Sequence, residues 1–211
     1  MVNQPRDPKT GRWIKSGTGV AAVITGGVVA FSGTGTGTVS IESGTGSGIA
    51  KGKTSGKDAA RKGQRDTAWQ RMGLKIIKKT AKQELLCSSR SFGEVQQFFV
   101  RTPCRKLDRT LLAIGDGHGN TIAVSIAWVR MRSVGEATRL KELADTHGTG
   151  NISPLGTAAL DLTGIHFTGY HYDSRRDGSL VVIAETAPAG GRPDDQALDD
   201  VADVADEFPA P

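Results

Sequence analysis

Apolar positions recur with a helical period in three parts of the chain. Phe92, Val95, Phe98 and Phe99 share one face of a helix that Ser91 and Glu94 open with capping-box spacing and Pro103 ends. Arg132-Ser133-Val134-Gly135-Glu136 repeats the start Arg90-Ser91-Phe92-Gly93-Glu94, 42 residues further on, and predicts a second helix through about Ala144. Ala197, Leu198, Val201, Val204, Ala205 and Phe208 form a stripe on a third helix begun by Pro193 and Asp194. Between them lie β-rich runs. Residues 107–114 and 121–131 flank Gly115-Asp116-Gly117-His118-Gly119-Asn120, a turn built from residues that tolerate positive φ. Ile122, Val124, Ile126 and Trp128 alternate with smaller residues and give the second run one heavily apolar face. Residues 165–172 and 180–186 predict another hairpin around Arg176-Asp177-Gly178, and the second part of 74–87 predicts a first strand. The order is β-α-β-β-α-β-β-α over 74–209. It predicts an α+β fold: a mostly antiparallel sheet with helices on one face, ferredoxin-like in its first six elements.

Charge divides the chain differently. Residues 1–83 carry 15 Lys+Arg against 4 Asp+Glu, and residues 84–211 carry 12 against 18, so the net +5 of the 211-residue chain describes neither part. With 37% apolar and 23% charged residues the whole is neither a polar disordered chain nor a polytopic membrane protein. Four regions are expected: a basic tail at 1–16, a Gly-rich hydrophobic segment at 17–41, a flexible basic stalk at 42–73 and the α+β domain at 74–209. The hydrophobic segment is uncharged from Ser16 to Ile41, with its apolar centre at 20–31. It reads as a single-pass membrane anchor with the basic tail inside. A cleaved signal with Ala30-Phe31-Ser32 at its site and a soluble low-complexity arm are the alternatives.

Chemistry is sparse. Cys87 and Cys104 bracket the first helix, and an exported domain would join them as a disulfide, whereas reduced thiols are the cytosolic alternative. Lys51, Lys53, Lys57, Arg61, Lys62 and Arg65 form an anionic-surface binding set, suited to membrane lipid or cell-wall polymer, with nucleic acid as a cytosolic alternative. Gly52-Lys53-Thr54 resembles the end of a phosphate loop, but Ser47 stands where that motif needs glycine. The segment Asp145-Thr146-His147-Gly148-Thr149-Gly150 resembles the histidine segment of subtilisin-like proteases, yet Gly156-Thr157-Ala158 offers no nucleophile. No metal-ligand spacing occurs among His118, His147, His166 and His171, and neither a cofactor nor a small-molecule substrate is evident. The sequence reading is therefore a non-enzymatic extracytoplasmic binding domain with an unidentified protein partner. An enzyme with scattered groups, drawn from Asp145, His147, His166 and His171, is the alternative.

Cys87, Ser91-Phe92-Gly93-Glu94-Val95, Phe98-Phe99, Thr102-Pro103-Cys104, Leu107-Asp108-Arg109, Ala127-Trp128-Val129 and residues 145–151 together resemble a group of uncharacterised actinobacterial proteins. These have an N-terminal hydrophobic segment and one C-terminal domain. The resemblance covers roughly residues 57–211, implies export, and brings no activity or binding residues with it.

Overall fold

The computed structural model describes residues 46–162 and 164–211. The tail and hydrophobic segment expected at 1–16 and 17–41 lie outside them. Two helices come first, α1 (Gly46–Arg61) and α2 (Arg65–Arg71). Strand β1 (Lys75–Glu84) leads through a 3-10 turn to α3 (Gly93–Arg101), then to β2 (Lys106–Gly115) and β3 (Thr121–Arg130). Helix α4 (Val134–Ala144) is followed by an irregular segment, β4 (Tyr172–Asp177), β5 (Leu180–Gly190) and α5 (Asp195–Ala205). The α+β class and the β-α-β-β-α-β-β-α order are as expected.

The sheet has the order β1-β2-β3-β5-β4, and every neighbouring pair is antiparallel. Here α3 carries the chain from β1 to its immediate neighbour β2, so the split βαβ arrangement of a ferredoxin-like fold is not formed. Helices also cover both faces rather than one. Ile122, Val124, Ile126 and Trp128 of β3 and Leu180, Val182 and Ala184 of β5 pack with buried residues of α1, α2 and α5. The intervening Ala127, Val129, Val181 and Ile183 pack with Val95 and Phe99 of α3 and Ala137 and Leu140 of α4. Bulky residues alternating with small ones thus mark two apolar faces, since small side chains suffice where helices approach closely.

The stalk expectation fails in its folded part. Residues 46–71 form two helices, and Ile49, Ala59, Ala60, Ala68, Trp69 and Met72 are buried in the core. The glycines that suggested flexibility serve contact between helices: a β-carbon on Gly52 would stand 1.9 Å from the carbonyl oxygen of Arg71, and one on Gly56 would stand 3.1 Å from Met72. Only glycine at 52 lets α1 lie against the end of α2.

Local starts and stops follow the chemistry unevenly. Ser133 and Glu136 form the expected reciprocal capping box of α4. Helix α3 is capped otherwise: the Thr149 carbonyl accepts from the backbone N–H groups of Glu94 (2.6 Å) and Val95 (3.2 Å). Ser91 turns inward and donates its hydroxyl to the carbonyl of Cys87 at 2.9 Å. Gly150 is placed so tightly that a β-carbon would meet the Phe92 oxygen at 2.1 Å, and its φ of +97° also favours glycine. Cys87 and Cys104 are paired at disulfide distance, their Cα atoms 6.1 Å apart, beneath α3.

Candidate functional site

A cleft of about 260 Å³ opens where the start of α3, the end of α4 and the irregular segment before β4 meet the sheet. Its wall includes Phe92, His147, Asn151, Phe167, Tyr172 and Glu185. They are positioned by several elements. Phe92 is the N-cap of α3, Tyr172 opens β4, and Glu185 lies on β5, opposite Tyr172 across the strand pair. Residues 145–151 form the loop that ends α4. Its second task, capping α3 through Thr149, fixes the position of His147 and Asn151 beside the cleft.

Glu185 is the side chain that matters most electrostatically. It is 5% exposed, in a strand whose other buried residues, Thr186 apart, are apolar, and a carboxyl group withdrawn from water needs hydrogen-bond partners. The backbone N–H of Gly169 donates to one oxygen at 2.5 Å, and the Asn151 amide donates to the other at 3.4 Å. Among the described residues of the wall, Glu185 is the acidic side chain and neither Lys nor Arg is present. His147 stacks on Tyr170, with ring centroids 5.2 Å apart and planes 28° from parallel. A pair in this geometry presents flat aromatic surface at the mouth.

The sequence-proposed acid–base groups disperse. Only His147 lines the cleft. Asp145 braces α4 against β4, accepting from Tyr172 (3.2 Å), Ser174 (2.5 Å) and Lys141 (2.5 Å). His171 pairs through Nδ1 with Asp199 of α5 at 2.9 Å, and His166 is exposed. The strand expected at 165–172 begins only at Tyr172, because Gly164 and Gly169 adopt positive φ and interrupt an extended run. Among the described residues no cluster of His, Cys, Asp and Glu could hold a metal ion.

The proposed anionic-surface set is divided as well. Lys53 pairs with Asp200 (3.0 Å) and Asp203, Lys57 with Asp203, and Arg61 with Glu207 (2.6 Å), all carboxylates on or just after α5. Arg65 lies over the rings of Trp128 (5.6 Å) and Phe208 (5.9 Å). Lys51 and Lys62 are exposed. Burial alone would lower the Lys53 pKa and raise that of Asp203, but their mutual hydrogen bonds and charges outweigh it, so the lysine is raised and the carboxyl lowered. Part of the charge asymmetry of the sequence is thus an internal interface between α1 and the end of α5. The phosphate-loop resemblance at Lys53 is absorbed by the same pairs.

Sequence reasoning missed Glu185, Asn151 and Phe167. A lone carboxylate within Leu-Val-Val-Ile-Ala-Glu-Thr-Ala was the available signal, because ionised groups are rarely buried without a role or a partner. Compared with known proteins, the chain matches no family model, no curated protein and no solved structure.

Proposed function

We propose that this protein is a non-enzymatic ligand-binding module, held outside the membrane by its N-terminal hydrophobic segment, with the cleft around Glu185 as its binding site. The observation that carries the reading is a buried carboxylate, hydrogen-bonded by Asn151 and Gly169, in the wall of an aromatic-lined recess. Such convergence of one charged group with apolar and aromatic walls is characteristic of small-ligand sites. A catalytic use finds less support, since among the described residues no serine or cysteine lines the wall and three of the four proposed acid–base groups lie elsewhere. Pairing of Cys87 with Cys104 supports the extracytoplasmic placement, where thiols oxidise. Among the described residues no helix is long and apolar enough to cross a membrane, so an anchor would have to come from the segment at 17–41. The exposed Lys51 and Lys62 support contact with an anionic lipid or wall polymer.

Thermal-shift screening of the full-length chain against small polar and charged compounds tests the binding reading. Binders should raise the melting temperature of the native chain and not that of Thr168→Trp, a substitution at an exposed position of the cleft wall. Equal shifts in both proteins, or no binder at all, would remove the cleft from the account.

A further inference from the structure

One end of the sheet carries charge and apolar surface that the fold does not use. There β1 and β3 finish and β2 and β5 begin in a single lateral row, with Glu84 beside Leu107, Lys106 beside Arg130 and Arg130 beside Leu180. The chain segments that leave this row are tied together by the Cys87–Cys104 pair and by the backbone N–H of Arg105, which donates to the Arg130 carbonyl at 2.7 Å. They carry Leu85, Leu86, Val100 and Val134, four of the seven large apolar side chains that stand exposed among the described residues. Arg101, Arg105, Arg130 and Arg132 are exposed on the same segments, and Arg176 in the neighbouring β4–β5 hairpin. Nearby carboxylates are engaged: Glu84 pairs with Arg90 and Arg109, Asp108 pairs with Lys106, and Glu136 accepts from the backbone of Arg132 and Ser133. Asp177 stands exposed beside Arg176. The five arginines form no ion pair with the described residues, and a guanidinium stays charged at any physiological pH.

Resting on the anchored reading above, the direction of this surface follows from α1 and α5. These helices run parallel, since Lys53, Lys57 and Arg61 meet Asp200, Asp203 and Glu207 in order. The end of α5 lies near the arginine end of the sheet, where the Phe208 carbonyl accepts from Trp128, two residues before Arg130, at 2.8 Å. Gly46 therefore stands about 22 Å back along α1, toward the opposite end. An anchor at 17–41 would join the fold there, so the arginine end faces away from its own membrane. A wall polymer would meet the arginines and leave the aliphatic side chains in water, and single-stranded nucleic acid calls for aromatic stacking faces, whereas the exposed apolar side chains here are aliphatic. Arginine is enriched at protein interfaces, and clustered exposed apolar residues mark them.

We propose that this end of the sheet docks an acidic segment of a partner protein, with its carboxylates on the arginine forks and its aliphatic side chains on Leu85, Leu86, Val100 and Val134. The test is fluorescence anisotropy of the full-length chain in phosphatidylcholine nanodiscs with two labelled peptides of equal length, one repeating Glu-Glu-Leu-Leu and the other Glu-Glu-Ser-Ser. Poly(glycerol phosphate) and phosphatidylglycerol vesicles serve as competitors. The leucine peptide should bind at least about tenfold more tightly than the serine peptide, and added salt should weaken both. Replacing the five arginines by glutamine should abolish binding of both peptides. Leu85→Ser combined with Leu86→Ser should bring the leucine peptide down to the affinity of the serine peptide. Every substituted residue is exposed, so an unchanged urea midpoint shows that each variant keeps its fold. Thr168→Trp should bind the peptide like the native chain, which separates this surface from the cleft; loss of binding there would place the peptide in the cleft and overturn the proposal. Equal affinity for the two peptides, no binding of either, or tighter binding of poly(glycerol phosphate) overturns it as well. Tighter binding of the vesicles would overturn the partner and the outward orientation together, leaving the cleft reading to the thermal-shift screen.

Discussion

Asp206, just after α5, shows how single residues set stability in this protein. It is 5% exposed and one of its carboxylate oxygens has no hydrogen-bond partner among the described residues. Burial, followed by the nearby Asp173, Glu207 and Asp203, pushes its pKa well above the ordinary carboxyl value. A carboxyl raised in the folded state holds its proton more tightly there than in the unfolded chain. Its penalty is therefore absent below about pH 4, the unfolded value, and grows until the pH has passed the folded pKa. Asp206→Asn should accordingly stabilise the protein at pH 7 and make little difference at pH 3.5, measured by urea denaturation at the two values. A greater gain at the lower pH would contradict this sign. Gly52 gives the opposite kind of case. Gly52→Ala places a methyl group 1.9 Å from a backbone oxygen that no rotamer change can move, so α1 must shift off α2 at a cost of about 1–3 kcal/mol. Gly48→Ala, with nothing near its β-carbon, should stabilise slightly by improving helix propensity, and comparison of the two midpoints separates packing from propensity. Neither role was legible in the sequence, where a stretch of Gly, Ser, Thr and Lys reads as a linker until a partner helix is placed beside it.

Between elements, the contact of α1 with α5 joins the basic and acidic parts of the chain. Lys53, Lys57 and Arg61 stand four residues apart, on one face, and Asp200, Asp203 and Glu207 answer them. Exposed pairs such as that of Arg61 contribute little, but Asp200 is almost wholly buried and loses its cation if Lys53 is changed. Replacing all three cations by glutamine should cost on the order of 1–3 kcal/mol in chemical denaturation. The same change at Lys51 and Lys62 should leave the midpoint where it is and weaken binding to anionic vesicles instead. An unchanged midpoint for the triple variant would return these residues to the role of a solvated stalk. Arg175 of β4 adds to the same end of α5, donating to the carbonyls of Asp206 (2.6 Å) and Phe208 (3.1 Å), which the helix leaves without internal partners. On the other face, the Cys87–Cys104 pair closes a loop around α3 with a separation of 17 residues. Replacing both cysteines by serine should lower stability by roughly 3 kcal/mol on the chain-entropy account. The stripe of α5 and the apolar face of β3 were readable because each reports burial directly, and of the α3 stripe Val95 and Phe99 are buried while Phe92 is exposed. The cap of α3 was not, since a backbone carbonyl supplied by Thr149 leaves no trace in residue type.

At the scale of the whole molecule, the class and order of elements followed from periodicity, but the layering did not. A sheet whose strands carry Ala and Val on one face and Ile and Trp on the other looks half-exposed in sequence; only the helices of residues 46–71 complete the second cover. The cleft was hidden for the same reason. Its wall draws on residues from 92 to 185, brought together because α3 and the segment after α4 hold each other through Thr149 and Gly150. Placement outside the membrane predicts that protease added to intact cells degrades the domain and that its cysteines resist alkylation until reduced. The central claim, that the cleft is where this protein meets its ligand, is tested most directly by mapping amide chemical shifts of the full-length chain while a binder from the screen is titrated in. The account predicts that the largest changes fall on Gly148, Gly150, Thr168 and Gly169, whose backbone borders the cleft. Changes centred instead on β1 or α1, with these four amides still, would contradict it.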